Sequence, residues 1–170
     1  ICDLVKPLVL HKRIFVAVPP LAEHENGFDL WIVKIAKLAQ ELSIPLCLNC
    51  NEVTQKAVEK FLLQAKLSIN MTMPLFDDWD DFLVLSRKVK DDDLFVLISA
   101  RKGSASYMNV LDKLPSKLQK YFSANSKLVI YPQQFNKSHI TRYEDISSEP
   151  LNIGNETIQK IGKDIGSIFK

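Results

Sequence analysis

The segment from Asp91 to Ser106, Asp-Asp-Asp-Leu-Phe-Val-Leu-Ile-Ser-Ala-Arg-Lys-Gly-Ser-Ala-Ser, constrains this chain more than any other. Its centre, Leu94-Phe-Val-Leu-Ile-Ser99, is apolar at every position up to the serine, without the alternation of a strand that has one wet face. That pattern suits a central parallel strand covered by helices on both sides. Three aspartates mark where the run leaves water, and a short basic loop with one glycine, Ala100-Arg-Lys-Gly-Ser104, follows at its carboxyl end. Open α/β sheets bind their ligands at that edge.

The rest of the chain arranges itself around this strand as alternating strands and helices. Residues 13–18, Arg-Ile-Phe-Val-Ala-Val, read as a β-branched first strand stopped by Pro19-Pro20. The polar stretch 21–27 is long for a strand-to-helix loop and is a functional candidate on that ground. Asp29 is placed to cap a helix over 30–42, where Trp31, Ile35, Leu38, Ala39 and Leu42 repeat at helical spacing. Pro45 ends it and opens a strand over 46–50. Asn51 then caps a helix over 52–66, with Val58, Phe61, Leu62 and Ala65 on one face. A strand over 67–73, a helix over 79–89, and a helix over 111–122 that must restart at Pro115 follow, before a fifth strand from Lys127 to Tyr131. Such alternation requires parallel strands with right-handed crossovers. The expected fold is a doubly wound α/β sandwich on a five-stranded parallel sheet over 13–132. Residues 1–12 read as a linker from an upstream region, since the chain opens on Ile1 with no initiator Met and suggests a piece of a longer polypeptide. Residues 133–152 are polar and aperiodic; from 156 to 170, Ile158, Ile161, Ile165, Ile168 and Phe169 form the apolar stripe of an amphipathic tail helix.

Composition narrows the function classes. A chain of 170 residues is one domain with room for a full core, and a formal charge of +2 offers no field for nucleic acid. No stretch approaches the roughly 18 consecutive apolar residues of a membrane span, and the opening residues do not read as a secretory signal. Cys2, Cys47 and Cys50 are too few and too scattered for a disulfide framework and fit a reducing compartment.

The basic loop is the strongest candidate site. Backbone N–H groups around Gly103, the hydroxyls of Ser99 and Ser104, and the cations Arg101 and Lys102 are what a phosphate or other anion requires. A solvated strand-to-helix turn accounts for the same residues. Asn49 at the end of the second strand and His24 in the long polar loop complete the candidate ligand-binding set. His24, flanked by Glu23 and Glu25, has no second His or Cys nearby to make a metal set, and reads more simply as a surface histidine. Cys47 and Cys50 match the redox spacing, but residues three apart on a strand face opposite sides of the sheet. Asp77, Asp78, Asp80 and Asp81 lack the glycine and closing glutamate of a calcium loop and read as acidic first-turn residues. No Ser/His/Asp triad assembles, and no catalytic residue is expected.

Over about 13–132, the strand layout and the loop Ser99-Ala-Arg-Lys-Gly-Ser104 resemble the universal stress protein family of adenine-nucleotide-binding α/β proteins. That resemblance implies an ATP or AMP phosphate site in the loop. Two positions depart from the family pattern: Pro19-Pro20 stands where an aspartate would end the first strand, and Lys113-Leu-Pro-Ser116 replaces later glycine and serine. The combination of Val18-Pro-Pro-Leu-Ala-Glu-His-Glu-Asn-Gly-Phe28, Asp91-Asp-Asp-Leu94 and the same loop looks more like the C-terminal cytosolic domain of Bacteroidetes-type cation:proton antiporters. It implies a non-catalytic regulatory or assembly domain of a Na⁺ or K⁺/H⁺ antiporter. Such a domain would lie on the cytoplasmic face of the bacterial inner membrane. Its partners would be an upstream transmembrane transporter domain of the same chain and a second copy, paired through an exposed edge strand from Lys127 to Tyr131. The alternative is a stand-alone ATP- or AMP-binding universal stress protein.

Overall fold

The computed structural model describes residues 1–79 and 82–133. They form an α/β fold on a six-stranded, mostly parallel sheet with four helices, of the general Rossmann-like class. The strands are β1 (Cys2–Asp3), β2 (Arg13–Ala17), β3 (Leu46–Asn49), β4 (Met71–Thr72), β5 (Asp93–Ile98) and β6 (Ser126–Ile130). The helices are α1 (Phe28–Leu42), α2 (Glu52–Gln64), α3 (Phe82–Lys88) and α4 (Leu114–Tyr121). The spatial order is β1-β6-β5-β2-β3-β4, so the order reverses between β2 and β5. Strands β2 to β6 are parallel; β1 alone runs antiparallel.

The central strand behaves as its composition dictates: all six residues of β5 are buried, and it lies between β2 and β6. Alternate residues of β5 serve two cores. Leu94, Val96 and Ile98 join Ile14, Val16, Trp31, Ile35 and Val58 on the α1/α2 side. Phe95 and Leu97 join Phe15, Leu85, Leu114, Leu118 and Phe122 on the α3/α4 side. Phe95 stacks on Phe122 with centroids 4.3 Å apart, a contact worth about 1 kcal/mol beyond the area it buries.

Local signals set the element ends. Ser43 adopts a left-handed conformation (φ 54°) and returns its N–H to Ala39 and Gln40, closing α1 two residues before Pro45. The Asn51 side chain accepts from the Thr54 N–H at 2.8 Å, the cap expected for α2. The fourth helix does restart, with a 3₁₀ turn over Asn109–Leu111 and Pro115 in the first turn of α4. Asp29 is not the cap of α1. The helix begins at Phe28, with Gly27 in the cap position and no side-chain capping bond.

Three expectations are corrected. The sheet has six strands, not five. The stretch 1–12, expected as a linker, supplies β1, with Cys2 opposite Leu128 and Asp3 opposite Lys127, and places His11 in the interior. The strand from Lys127 to Tyr131 is consequently no edge: β6 (Ser126–Ile130) has β5 on one side and β1 on the other. Lys127, 7% exposed, holds β1 in place with an ion pair to Asp3 at 2.7 Å. The expected tail helix at 156–170 lies outside the described residues, as does the polar stretch preceding it beyond Gln133. Among the described residues, no helix is long and apolar enough to cross a membrane.

Candidate functional site

The strand order reverses between β2 and β5, and the carboxyl ends of the strands at such a switch point are where open α/β sheets hold ligands. Two connections meet there: the β2–α1 loop over 18–27 and the β5–α4 loop that begins at Ser99.

The basic loop is built as a turn with one glycine in its proper place. Gly103 has φ 90°, and a Cβ there would meet nothing, so backbone conformation rather than space asks for glycine. Ser104 is consumed internally, since its N–H and Oγ both donate to the Arg101 carbonyl at 3.1 and 2.7 Å. Arg101 is exposed and lies over the Tyr131 ring, 5.1 Å from its centroid. Lys102 is exposed and pairs with Asp112 at 3.7 Å. Ser99 is buried; its N–H donates to Ile130, and its Oγ has no hydrogen-bond partner among the described residues.

The other two expected site residues stand at the same sheet edge without joining this loop. Asn49 is buried at the end of β3, where its amide donates to the Val16 and Cys47 carbonyls at 3.4 Å. It ties β3 to β2 and has a structural duty. His24 is largely exposed, with Nε2 3.7 Å from Glu23 Oε1. Among the described residues, no hydrogen bond or ion pair links Asn49 or His24 to 99–104.

The residues that do join these two connections are Glu25 and Ser106. Glu25 is only 6% exposed, and its Oε1 accepts both the Ser106 N–H at 2.9 Å and the Ser106 hydroxyl at 2.7 Å. Two neutral donors beyond the basic loop therefore hold the chain's own carboxylate. Glu23, two residues earlier, reaches the opposite way: its Oε2 accepts from the fully buried Thr54 hydroxyl at 2.7 Å in the first turn of α2. Gly27 completes the attachment. Its N–H donates to the Gln133 carbonyl, and a Cβ would lie 2.5 Å from the Gln133 nitrogen. Leu21 takes a left-handed conformation (φ 64°) to let the loop turn back, a strain that a non-glycine residue carries at a cost of about 1 kcal/mol or more. The long polar loop is thus a strap fastened to α2, to Ser106 and to Gln133.

Sequence reading picked out this loop but chose His24, which is exposed, over its flanking glutamates. The signal for Glu25 was its place in an overlong loop at the switch-point strand; its partner, seven positions beyond Ser99, cannot be deduced from spacing.

The two cysteines of the redox-like pair point to different cores, Cys47 to the α3/α4 side and Cys50 to the α1/α2 side, and both are free thiols. Burial, with Glu23, Asp77 and Glu59 adding negative charge, pushes the Cys50 thiol up to about 12. That disfavours the thiolate, and the two side chains lie on opposite faces of the sheet. Among the described residues, no group of three or more His, Cys, Asp or Glu is arranged to hold a metal ion. Cavities of about 200 and 240 Å³ lie elsewhere, one between α4 and the β1–β6 edge beside Leu118 and Val129, the other at the end of α1 beside Ile44 and Asn70. No family model, curated protein or solved structure matches this chain.

Proposed function

We propose that this chain is a regulatory or assembly domain that works through protein contacts and carries no reaction of its own. The observation behind this reading is that the donors of Ser106, in the β5–α4 loop, hold the chain's own Glu25 carboxylate. The resemblance of 18–28, 91–94 and 99–104 to the cytosolic domain of cation:proton antiporters gives the reading its setting. In that setting the partner is a membrane-embedded Na⁺ or K⁺/H⁺ exchanger domain. The domain sits on the cytoplasmic face of the membrane and biases transport by contacting two transporter states unequally. A universal stress protein-like arrangement is supported by the five parallel strands β4-β3-β2-β5-β6 and by the position of the basic loop.

A second reading, a nucleotide sensor of the universal stress protein type binding ATP or AMP, draws on the unpartnered buried hydroxyl of Ser99 and the exposed cations Arg101 and Lys102. Thermal unfolding with millimolar ATP, AMP and Mg²⁺ separates the two. A nucleotide present at 100 times its dissociation constant would add about 2.7 kcal/mol of stability. The contact-domain reading expects no shift. A shift that Arg101→Ala abolishes would replace it with the sensor.

A further inference from the structure

We infer that the Ser106 N–H and hydroxyl form a receptor for a carboxylate, which the chain keeps closed with its own Glu25. The inference goes beyond the contact-domain reading and holds whichever partner that domain has. It begins with an imbalance. Glu25 is a buried carboxylate, yet among the described residues no cation pairs with it: Arg101 lies over Tyr131, Lys102 pairs with Asp112, and Lys127 pairs with Asp3. What holds it is two neutral donors of one residue, converging on one oxygen. A buried carboxyl group needs hydrogen bonds to offset its loss of water, and two donors converging on one oxygen provide them.

The same arrangement selects the class of anion. Two neutral donors with no cation suit a single negative charge on a small planar group. A phosphate dianion would bring more charge and more acceptor oxygens than the donors can meet. The receptor therefore takes the carboxylate of a small free acid.

Glu25 is carried on the strap that Thr54 and Gln133 also hold through Glu23 and Gly27, so its carboxylate stays tethered close to Ser106. A tethered competitor has an effective concentration on the order of millimolar or higher, which sets the level an external carboxylate must overcome. The contact is autoinhibitory in this sense: the site exists, and its own chain outcompetes weak ligands.

The experiment compares wild type, Glu25→Ala and Glu25→Gln in sodium acetate, sodium phosphate and sodium chloride at equal ionic strength. It reads the Tm and the NMR shift of the Ser106 amide. Acetate matches the group that Glu25→Ala removes. We expect it to raise the Tm of that variant above its value in chloride and to move the Ser106 amide. Wild type should need at least about tenfold more acetate for the same amide shift, because the tethered carboxylate competes. If Glu25→Ala does not fold, Glu25→Gln decides on the amide shift alone, since a neutral carboxamide competes less well for these donors. Acetate acting no differently from chloride on the variants would overturn the receptor. Equal acetate sensitivity in wild type and variants would overturn the autoinhibition, and an effect of phosphate without acetate would overturn the carboxylate assignment.

Discussion

Cys50 shows how a residue with reactive spacing becomes inert. It is fully buried on the α1/α2 side of the sheet, and Glu23, Asp77 and Glu59 add negative charge around it. Both effects favour the neutral thiol. An alkylating reagent at neutral pH should therefore label the exposed Cys2 and leave Cys47 and Cys50 unmodified until the chain unfolds. The same thiol predicts a pH dependence. Below about pH 9 it is protonated in both states and contributes no slope; above that, the unfolded chain releases the proton while the folded chain keeps it to about 12. Stability should fall as pH rises through this window, by up to about 1.4 kcal/mol per pH unit for one proton. Cys50→Ala should flatten the pH 9–11 stability profile by that much. Parallel profiles would show that the slope belongs to other groups.

At the scale of elements, the decisive pairing is β2 with β5. Three aspartates precede the central strand, but only Asp93 lies inside it, 1% exposed, where it accepts from Arg13 Nε at 2.8 Å and pairs with Nη2 as well. It also accepts from the Lys90 N–H at 2.8 Å, which shapes the turn into β5. Arg13 and Asp93 are register partners on neighbouring parallel strands, so this forked bond fixes the alignment of the two strands at the switch point. Asp93→Ala would strand the Arg13 guanidinium and should cost about 3 kcal/mol. Asp93→Asn, which keeps the shape and an acceptor, should lose less. Urea unfolding at unchanged m-value measures both, and a loss below 1 kcal/mol for Asp93→Ala would show the pair to be energetically idle.

For the molecule as a whole, the sheet's outer boundary is set by a segment far away in sequence. β1 covers β6 with only two residues, and β4 closes the other side with two. Very short edge strands are one way proteins avoid sheet-to-sheet association. Beside its backbone bonds, the attachment of β1 is reinforced by Lys127, whose Nζ meets Asp3 at 2.7 Å and donates to the Phe122 and Asn125 carbonyls at 3.3 Å. Asp3→Lys would set two cations against each other and leave a buried charge short of its partner, costing about 2 kcal/mol. It should loosen β1, expose β6 and produce concentration-dependent association in sedimentation velocity. A monomer of unchanged stability would mean that β1 is not what guards this edge.

The sequence by itself determined the parallel α/β class, the position of the buried central strand, the Asn51 cap and the restart of α4 at Pro115. Each is written in local periodicity or in residues a few positions apart. Only the tertiary structure decided that residues 1–3 complete the sheet, that Asn49 reaches the Val16 carbonyl of β2, and that Glu25 meets Ser106. Those outcomes depend on partners 81 residues apart for Glu25 and Ser106, and 128 for Ile1 and Val129. Spacing along the chain carries no information about such pairs. A buried carboxylate is settled by which donors the fold brings to it, and that is known only once the strands have taken their order.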